Sequence, residues 1–322
     1  MEKLTGAIVV GVEHLDSSDT LTPESRAALK CAHRITSGDV IAASWVSTPD
    51  LEGLGQCGVH RVFVPESGAT WPNDSAVHAD FVKRVVGEVS AEAVLFSASS
   101  LATEVAARLA MKLGSTVVGG VSDFEIVDGG IVASKRVLGG EWEARTAVTA
   151  TIPVFTVAMK DDGQMTSGTA PALVETLKTE QTSSSVQVVS SESQGSDGAL
   201  SSADVAVIGG RGVDGDFDLV SRFAQALGGS VGATRVACDE GWADRSLQVG
   251  QTGLSISPKL YVGLGVSGAI HHTCGIQGAE TIVAVCDDPD APIFEIADFG
   301  VVGNVEDVVP QALEKLAELQ NR

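Results

Sequence analysis

The chain has 322 residues, which predicts two domains, because single hydrophobic cores usually stop growing at about 250 to 300 residues. Its 42 acidic and 21 basic residues give a net charge of -21, which argues against nucleic acid or an anionic membrane surface as a partner. No apolar run approaches the ~20 residues of a membrane span, so no membrane insertion is expected.

The first residues show neither a signal peptide nor a transit peptide. Five cysteines without a C-x-x-C pair indicate thiols in a reducing compartment. The sequence therefore predicts a cytoplasmic protein without a metal site.

Short apolar runs alternate with helical patterns through the first half of the chain, which is typical of a doubly wound, mostly parallel α/β sheet. Strands are predicted at 7–12, 40–46, 59–64, 93–96 and 116–121. Helices are predicted at 22–36, 51–57, 75–89 and 103–113. Three further β-rich runs, separated by glycine pairs, predict antiparallel hairpins that finish this sheet, at 124–127, 131–137 and 141–149.

A serine cluster, Ser97-Ala98-Ser99-Ser100, follows one of these strands. Open α/β sheets bind ligands at such strand ends, but serines here more simply cap the next helix. Residues 179–203 are rich in serine, glycine and acid around an apolar patch at 186–189, which predicts a linker with one short strand. We divide the chain into an N-terminal α/β domain, 1–190, and a C-terminal domain, 191–322.

The second half opens with a strand at 205–208, a glycine-rich loop and a helix at 217–227. Gly210, Gly212 and Gly215 satisfy G-x-G-x-x-G, so a dinucleotide site for NAD is one interpretation. Arg211 inside the loop suits a phosphate partner. The next strand candidate, 230–237, is interrupted by a glycine, and Asp239 poorly fills the place of the acid that a nicotinamide site requires.

Two ligand-facing loops follow. Residues 249–253, VGQTG, present a backbone, an amide and a hydroxyl, and residues 267–272, SGAIHH, follow an apolar strand at 260–266. Small residues between a strand and a possible helix start bring N–H groups against a phosphate, although each loop alone also suits a simple turn. Apolar runs at 281–285 and 293–297 and a helix at 305–319, interrupted at Pro310, complete the chain. The converging strand ends predict a long groove with an arginine at either end.

Six ordered motifs, GGRG, ATR, LQVGQTG, SGAIHH, TIVAVCDDPDAPIF and ADFG, closely resemble the C-terminal FAD domain of the electron transfer flavoprotein alpha subunit. The likeness covers residues 203–320, and the first 190 residues resemble that subunit's N-terminal α/β domain. It implies a Rossmann-like or flavodoxin-like domain that binds one FAD, in an electron carrier rather than an enzyme.

The resemblance also implies partners. These are a beta subunit in a heterodimer, flavin dehydrogenases such as the acyl-CoA dehydrogenase of fatty acid β-oxidation, and a membrane electron transfer flavoprotein–quinone oxidoreductase. An electron-bifurcating complex with a second flavin remains an alternative, as does the NAD-dependent oxidoreductase.

Carried over residue by residue, the resemblance implies that Arg235 lies beside the isoalloxazine ring, that the Thr252 hydroxyl reaches toward N5 and that His272 lies near the pyrimidine edge. Cys286 and Asn304 with Val305 would lie along the adenosine end. Thr234, His271, Cys286 and Asn304 depart from the usual serine, glutamine, asparagine and aspartate. The full set of expected FAD contacts is Arg211, Thr234, Arg235, Gln248, Val249, Gly250, Gln251, Thr252, Ser267, Gly268, Ala269, Ile270, His271, His272, Cys286, Asn304 and Val305.

Overall fold

A computed structural model describes residues 2–15, 19–66, 74–138, 142–159, 161, 170–178, 189, 200–201 and 203–320. The chain forms two compact units, Met1–Glu192 and Ser193–Arg322. Both contain parallel sheets with helices, so the α/β fold class is confirmed. The predicted linker, with its strand at 186–189, lies largely outside the described residues. Within the part of the chain that is described, no helix is long and apolar enough to cross a bilayer.

The first unit contains ten described strands and four described helices. The strands are β1 (Ile8–Val12), β2 (Val40–Ser44), β3 (Arg61–Pro65), β4 (Ala93–Ser97), β5 (Val117–Val121), β6 (Asp123–Val127), β7 (Gly130–Val137), β8 (Trp142–Ala147), β9 (Val154–Val157) and β10 (Leu173–Leu177). The helices are α1 (Pro23–Ile35), α2 (Leu51–Gln56), α3 (Ser75–Val89) and α4 (Ser100–Lys112). Seven of the strands form one parallel sheet in the order β10-β3-β2-β1-β4-β9-β5. Strands β1, β2 and β4 are buried along their whole length, as unbroken apolar runs in a sheet covered on both faces require.

The first unit differs from the prediction in two respects. Strands β6, β7 and β8 do not finish the parallel sheet but form an antiparallel sheet of their own. Buried and exposed residues alternate along β6, with Phe124 and Ile126 buried, which is typical of a sheet with one solvent-exposed face. Strand β9, which pairs with β4 and β5, and edge strand β10 were not predicted. The apolar run of β9 is only four residues long and contains a threonine, and β10 is a largely exposed edge strand with polar residues in its sequence, LVETL.

The hydroxyls of the serine cluster after β4 form hydrogen bonds with other groups of the protein. Ser99 Oγ accepts a hydrogen bond from Ala102 N at 3.0 Å and so caps α4. The hydroxyls of Ser97 and Ser99 donate to the Glu13 carboxylate at 2.6 and 2.8 Å. Glu13 follows β1, so this carboxylate lies at the switch point of the first sheet, where the order of its parallel strands reverses between β1 and β4. The capping interpretation of these serines therefore agrees with the structure.

The second unit has five described strands, all parallel. They are β11 (Val205–Gly209), β12 (Ser230–Ala233), β13 (Leu260–Leu264), β14 (Thr281–Cys286) and β15 (Phe299–Val302). The helices are α5 (Phe217–Ala226), α6 (Arg235–Asp239), α7 (Ile270–Thr273), α8 (Ile293–Ile296) and α9 (Val305–Gln320). The order β12-β11-β13-β14-β15 is that of flavodoxin-like folds, in which ligands bind at the switch point between the first and third strands.

Three elements of this unit differ from the prediction. Arg235 begins helix α6 and does not end a strand, because β12 stops at Ala233. The run at 293–297 is the one-turn helix α8, and the edge strand is the next segment, β15. Helix α9 continues through Pro310, which is exposed, so water can reach the carbonyl group that loses its backbone partner there.

Two glycine loops cross at the switch point of the second sheet. Gly210 N donates to Leu264 O at 2.8 Å, and Gly212 N donates to Gly265 O at 2.9 Å. A Cβ on Gly265, whose φ is +62°, would lie 2.5 Å from the carbonyl carbon of Gly212. These glycines are therefore required because the two backbones touch, with no space for a side chain between them.

Replacing Gly265 by alanine should therefore destabilise the second unit far more than replacing a glycine that has a positive φ but no atom close to the added Cβ. Gly228 is the matched control, because its φ is +65° and an added Cβ would have nothing within 4 Å. We expect Gly228→Ala to cost about 1 to 2 kcal/mol and Gly265→Ala at least about 2 kcal/mol more. Hydrogen exchange in peptides of the second unit measures both, and equal losses would show that the loops can separate freely.

Candidate flavin site

A cavity of about 500 Å³ lies at the switch point between β11 and β13. Five segments of the second unit contribute its walls: the loop after β11, the start of α6, the loop before β13, the loop after β13 with α7, and the end of β14. The lining residues are Gly210, Arg211, Gly212, Thr234, Arg235, Val236, Gln248, Val249, Gly250, Gln251, Thr252, Gly265, Val266, Ser267, Gly268, Ala269, His271, His272, Cys286, Asp287 and Asp288.

Most of the residues expected from the sequence are brought together in this lining, and three are not. Ile270 directs its side chain to solvent and is 60% exposed. Val305 packs in the core beneath the sheet, and the Asn304 carbonyl accepts from Val308 N at the start of α9. The family resemblance placed these two along the adenosine end of the cofactor, but the side chain of Val305 is buried in the core.

Seven lining residues were not among the expected FAD contacts: Gly210, Gly212, Val236, Gly265, Val266, Asp287 and Asp288. The two aspartates directly follow β14, so the rule that parallel sheets bind ligands at their carboxyl edge could have identified them. Arg245 contacts the lining residue Gln248 but is not itself in the lining. No sequence rule indicated this contact, because Arg245 lies in a 3-10 turn whose direction depends on tertiary packing.

The loop after β13 presents hydrogen-bond donors to the cavity. Within the described chain, the N–H groups of Ser267, Gly268 and Ala269 have no acceptor. The loop is fixed by Ile293 N, which donates to Ser267 O at 3.1 Å, and a Cβ on Gly268 would lie 2.3 Å from that same nitrogen. Arg211 is exposed at the cavity and forms no ion pair with any described residue. This donor set fits an anionic phosphate group.

His272 joins three parts of the site. Its Nδ1 lies 3.0 Å from the Val249 carbonyl oxygen and its Nε2 lies 2.8 Å from the Tyr261 hydroxyl. A carbonyl can only accept, so Nδ1 carries the proton and Nε2 accepts from Tyr261. Burial lowers the pKa of His272 below its usual value. The imidazole is therefore a neutral link whose polar atoms are both satisfied within the protein, and its role at the pyrimidine edge of the flavin stays a prediction.

A second link joins the same loops at the surface. Gln251 N donates to His271 O at 2.7 Å, and the His271 Nδ1 lies 2.6 Å from Gln251 Oε1. Arg235, at the other side of the cavity, is 63% exposed, and its Nε donates to Asp239 Oδ2 at 3.3 Å. Asp239 therefore positions the arginine without removing it from the cavity lining.

The buried imidazole makes the second unit sensitive to acid. Because burial lowers the pKa of His272 from 6.5, the unfolded chain binds this proton more readily than the folded chain. The stabilisation is therefore present in full above pH 6.5 and is lost as the pH falls from there through the folded-state pKa. Hydrogen-exchange protection in peptides covering 249–276 should fall as the pH is lowered below 6.5.

His272→Gln is the control for this prediction, because it removes the titration while leaving His14 and His33 of the first unit unchanged. Burial also lowers the pKa of both of those histidines, so acid sensitivity of the first unit should persist in the variant. An identical pH dependence of the second unit in both proteins would contradict the assignment to His272.

The strand order, the crossed glycine loops and the donor-lined cavity define a nucleotide-binding α/β domain. Residues 199–277 match the family model described as the electron transfer flavoprotein FAD-binding domain, and residues 10–171 match the electron transfer flavoprotein domain. The chain is 36% identical over 282 residues to electron transfer flavoprotein subunit alpha of Mycobacterium leprae strain TN, covering 84% of this chain and 86% of that protein.

Two further relatives extend the comparison. Electron transfer flavoprotein subunit alpha of Bacillus subtilis strain 168 is 29% identical over 299 residues, covering 89% of this chain and 91% of that protein. Protein FixB of Clostridium saccharobutylicum is 27% identical over 279 residues, covering 84% of this chain and 83% of that protein. The chain belongs to the alpha subunits of the electron transfer flavoprotein family. The predicted family is confirmed, FAD is the cofactor, and the protein is an electron carrier rather than an enzyme.

Proposed function

We propose that this chain is the alpha subunit of a cytoplasmic heterodimer, in which residues 1–190 contact a beta subunit and residues 191–322 hold one FAD in the switch-point cavity. It carries electrons from flavin dehydrogenases, such as an acyl-CoA dehydrogenase of fatty acid β-oxidation, to a membrane electron transfer flavoprotein–quinone oxidoreductase. The observation that carries the proposal is the cavity itself, with exposed donors at one loop and an arginine that has no carboxylate partner in the described chain.

Each part of the cavity suits a different part of FAD. The N–H groups of Ser267 to Ala269 and the Arg211 guanidinium suit the diphosphate, because both supply donors to anionic oxygens. Arg235 and the loop at 249–252 would hold the isoalloxazine ring, with Cys286 and Asn304 toward the adenosine. Bound FAD supplies the redox chemistry, and the protein determines its orientation and potential.

An NAD site built on G-x-G-x-x-G is not favoured by the geometry. The N–H groups of Gly210 and Gly212 donate to backbone oxygens of the crossing loop, so they do not face a pyrophosphate. Strand β12 is followed by Thr234 and Arg235, where a dinucleotide fold would carry the acid that binds the ribose.

Co-expression with the beta subunit should yield a yellow heterodimer that contains FAD. Its flavin absorbance should fall when an acyl-CoA dehydrogenase and its substrate are added, because the carrier accepts electrons from that enzyme. A stable, colourless heterodimer that takes up no added FAD would contradict the proposed site. Reduction by NADH, instead of by the dehydrogenase, would contradict the proposed donor and favour the bifurcating alternative.

Arg211→Ala should weaken FAD binding by about 10- to 100-fold, because a charged hydrogen bond to a phosphate contributes roughly 1.5 to 3 kcal/mol. Arg222→Ala is the matched control: Arg222 is also exposed, on α5, and lies outside the cavity lining. Quenching of flavin fluorescence on binding to the apo heterodimer measures both affinities. Equal effects of the two substitutions would show that Arg211 contributes only general charge.

A further inference from the structure

Four side chains form a continuous series of polar contacts that ends at the cavity wall. Arg245 Nη2 donates to Asp239 Oδ1 at 2.6 Å, and Arg245 Nη1 donates to Gln248 Oε1 at 3.4 Å. Gln248 Nε2 then donates to Thr252 Oγ1 at 3.0 Å. Gln248 is 2% exposed, whereas Thr252 is exposed at the cavity. The series therefore runs from a surface carboxylate to a ligand-facing hydroxyl.

Arg245 decides the direction of these contacts. A guanidinium contains only donors, so the Gln248 amide atom that faces it must be the oxygen. The other end of the amide is the NH₂ group, which can only donate. It faces Thr252, so Thr252 Oγ1 accepts its hydrogen bond. With the amide reversed, the NH₂ group would face the guanidinium donor to donor, and the Thr252 hydroxyl would donate to the amide oxygen.

The hydrogen of the Thr252 hydroxyl consequently remains for another partner. Among the described residues no acceptor for it is present, and the hydroxyl lies at the cavity. We propose that Arg245 is a positioning residue of the flavin site, which holds the Gln248 amide so that Thr252 donates its hydrogen bond to an acceptor atom of the flavin ring. This inference rests on the proposed placement of the ring at the loop of residues 249–252.

A fixed donor at the ring favours the reduced flavin, because it stabilises the electron density that reduction adds. Arg245→Met removes the guanidinium donors and the charge and keeps an unbranched side chain. We expect it to shift the equilibrium away from the reduced flavin about three- to tenfold, which lowers a one-electron potential by about 30 to 60 mV. Arg245→Lys, which retains donors and charge, should lose less.

A double-mutant cycle separates positioning from the loss of a positive charge. In a Thr252→Val heterodimer, Arg245→Met should cause little further change in potential, because the hydroxyl through which it acts is absent. The same shift in both backgrounds would overturn the proposal, since it would assign the whole effect to the charge. Potentiometric titration of the FAD-loaded heterodimer measures all four proteins.

A second measurement needs no flavin and so remains informative even if the proposed function is wrong. The side-chain amide resonances of Gln248, observed by ¹⁵N NMR in the apo heterodimer, should move and exchange faster with water in Arg245→Met. Unchanged Gln248 resonances in this variant would overturn the positioning role, whatever ligand the cavity binds. Failure of the heterodimer to take up FAD would instead overturn the proposed function alone.

Discussion

The direct backbone contact between the loops after β11 and β13 determines what the switch point of the second sheet can bind. Gly210 and Gly212 donate their N–H groups to the crossing loop, so the glycine motif holds the two loops together and cannot also surround a phosphate. Anion binding then depends on the Arg211 side chain and on the N–H groups that follow β13. The same contact brings these two donor sources to one cavity, because it fixes the distance between the loops that carry them.

The sequence was sufficient for the parts of the fold that depend on local pattern. Unbroken apolar runs predicted β1, β2 and β4, and the glycines and small residues at 249–253 and 267–272 predicted the two ligand-facing loops. It was insufficient where tertiary packing decides. The short strand β9 has no period to recognise, and the inward direction of Val305 depends on how α9 packs against the sheet. The contact of Arg245 with Gln248 joins side chains whose directions no spacing rule gives.

The charge of the cavity differs from that of the chain as a whole. A net charge of -21 would repel an anionic cofactor, yet Arg211, Arg235 and Arg245 lie in or beside the cavity. Asp239 contacts Arg235 through Oδ2 and Arg245 through Oδ1. One carboxylate therefore holds two guanidinium groups in position, and these three side chains together keep an excess of positive charge. The remaining carboxylates, Asp287 and Asp288, lie at the end of β14, where they would suit hydroxyl groups better than phosphates.

Groups of the cavity loops are held in place by buried partners. The Val249 carbonyl is fixed by the buried His272, the Ser267 carbonyl by Ile293 N, and the Thr252 hydroxyl by the buried Gln248. Their orientation therefore does not have to be acquired when the cofactor binds or changes its charge. For an electron carrier this arrangement has a specific advantage, because dipoles that are already oriented need little rearrangement when an electron arrives or leaves. Because His272 is neutral and both of its nitrogens are engaged, it supplies this rigidity without adding a charge that would compete with the arginines for control of the potential.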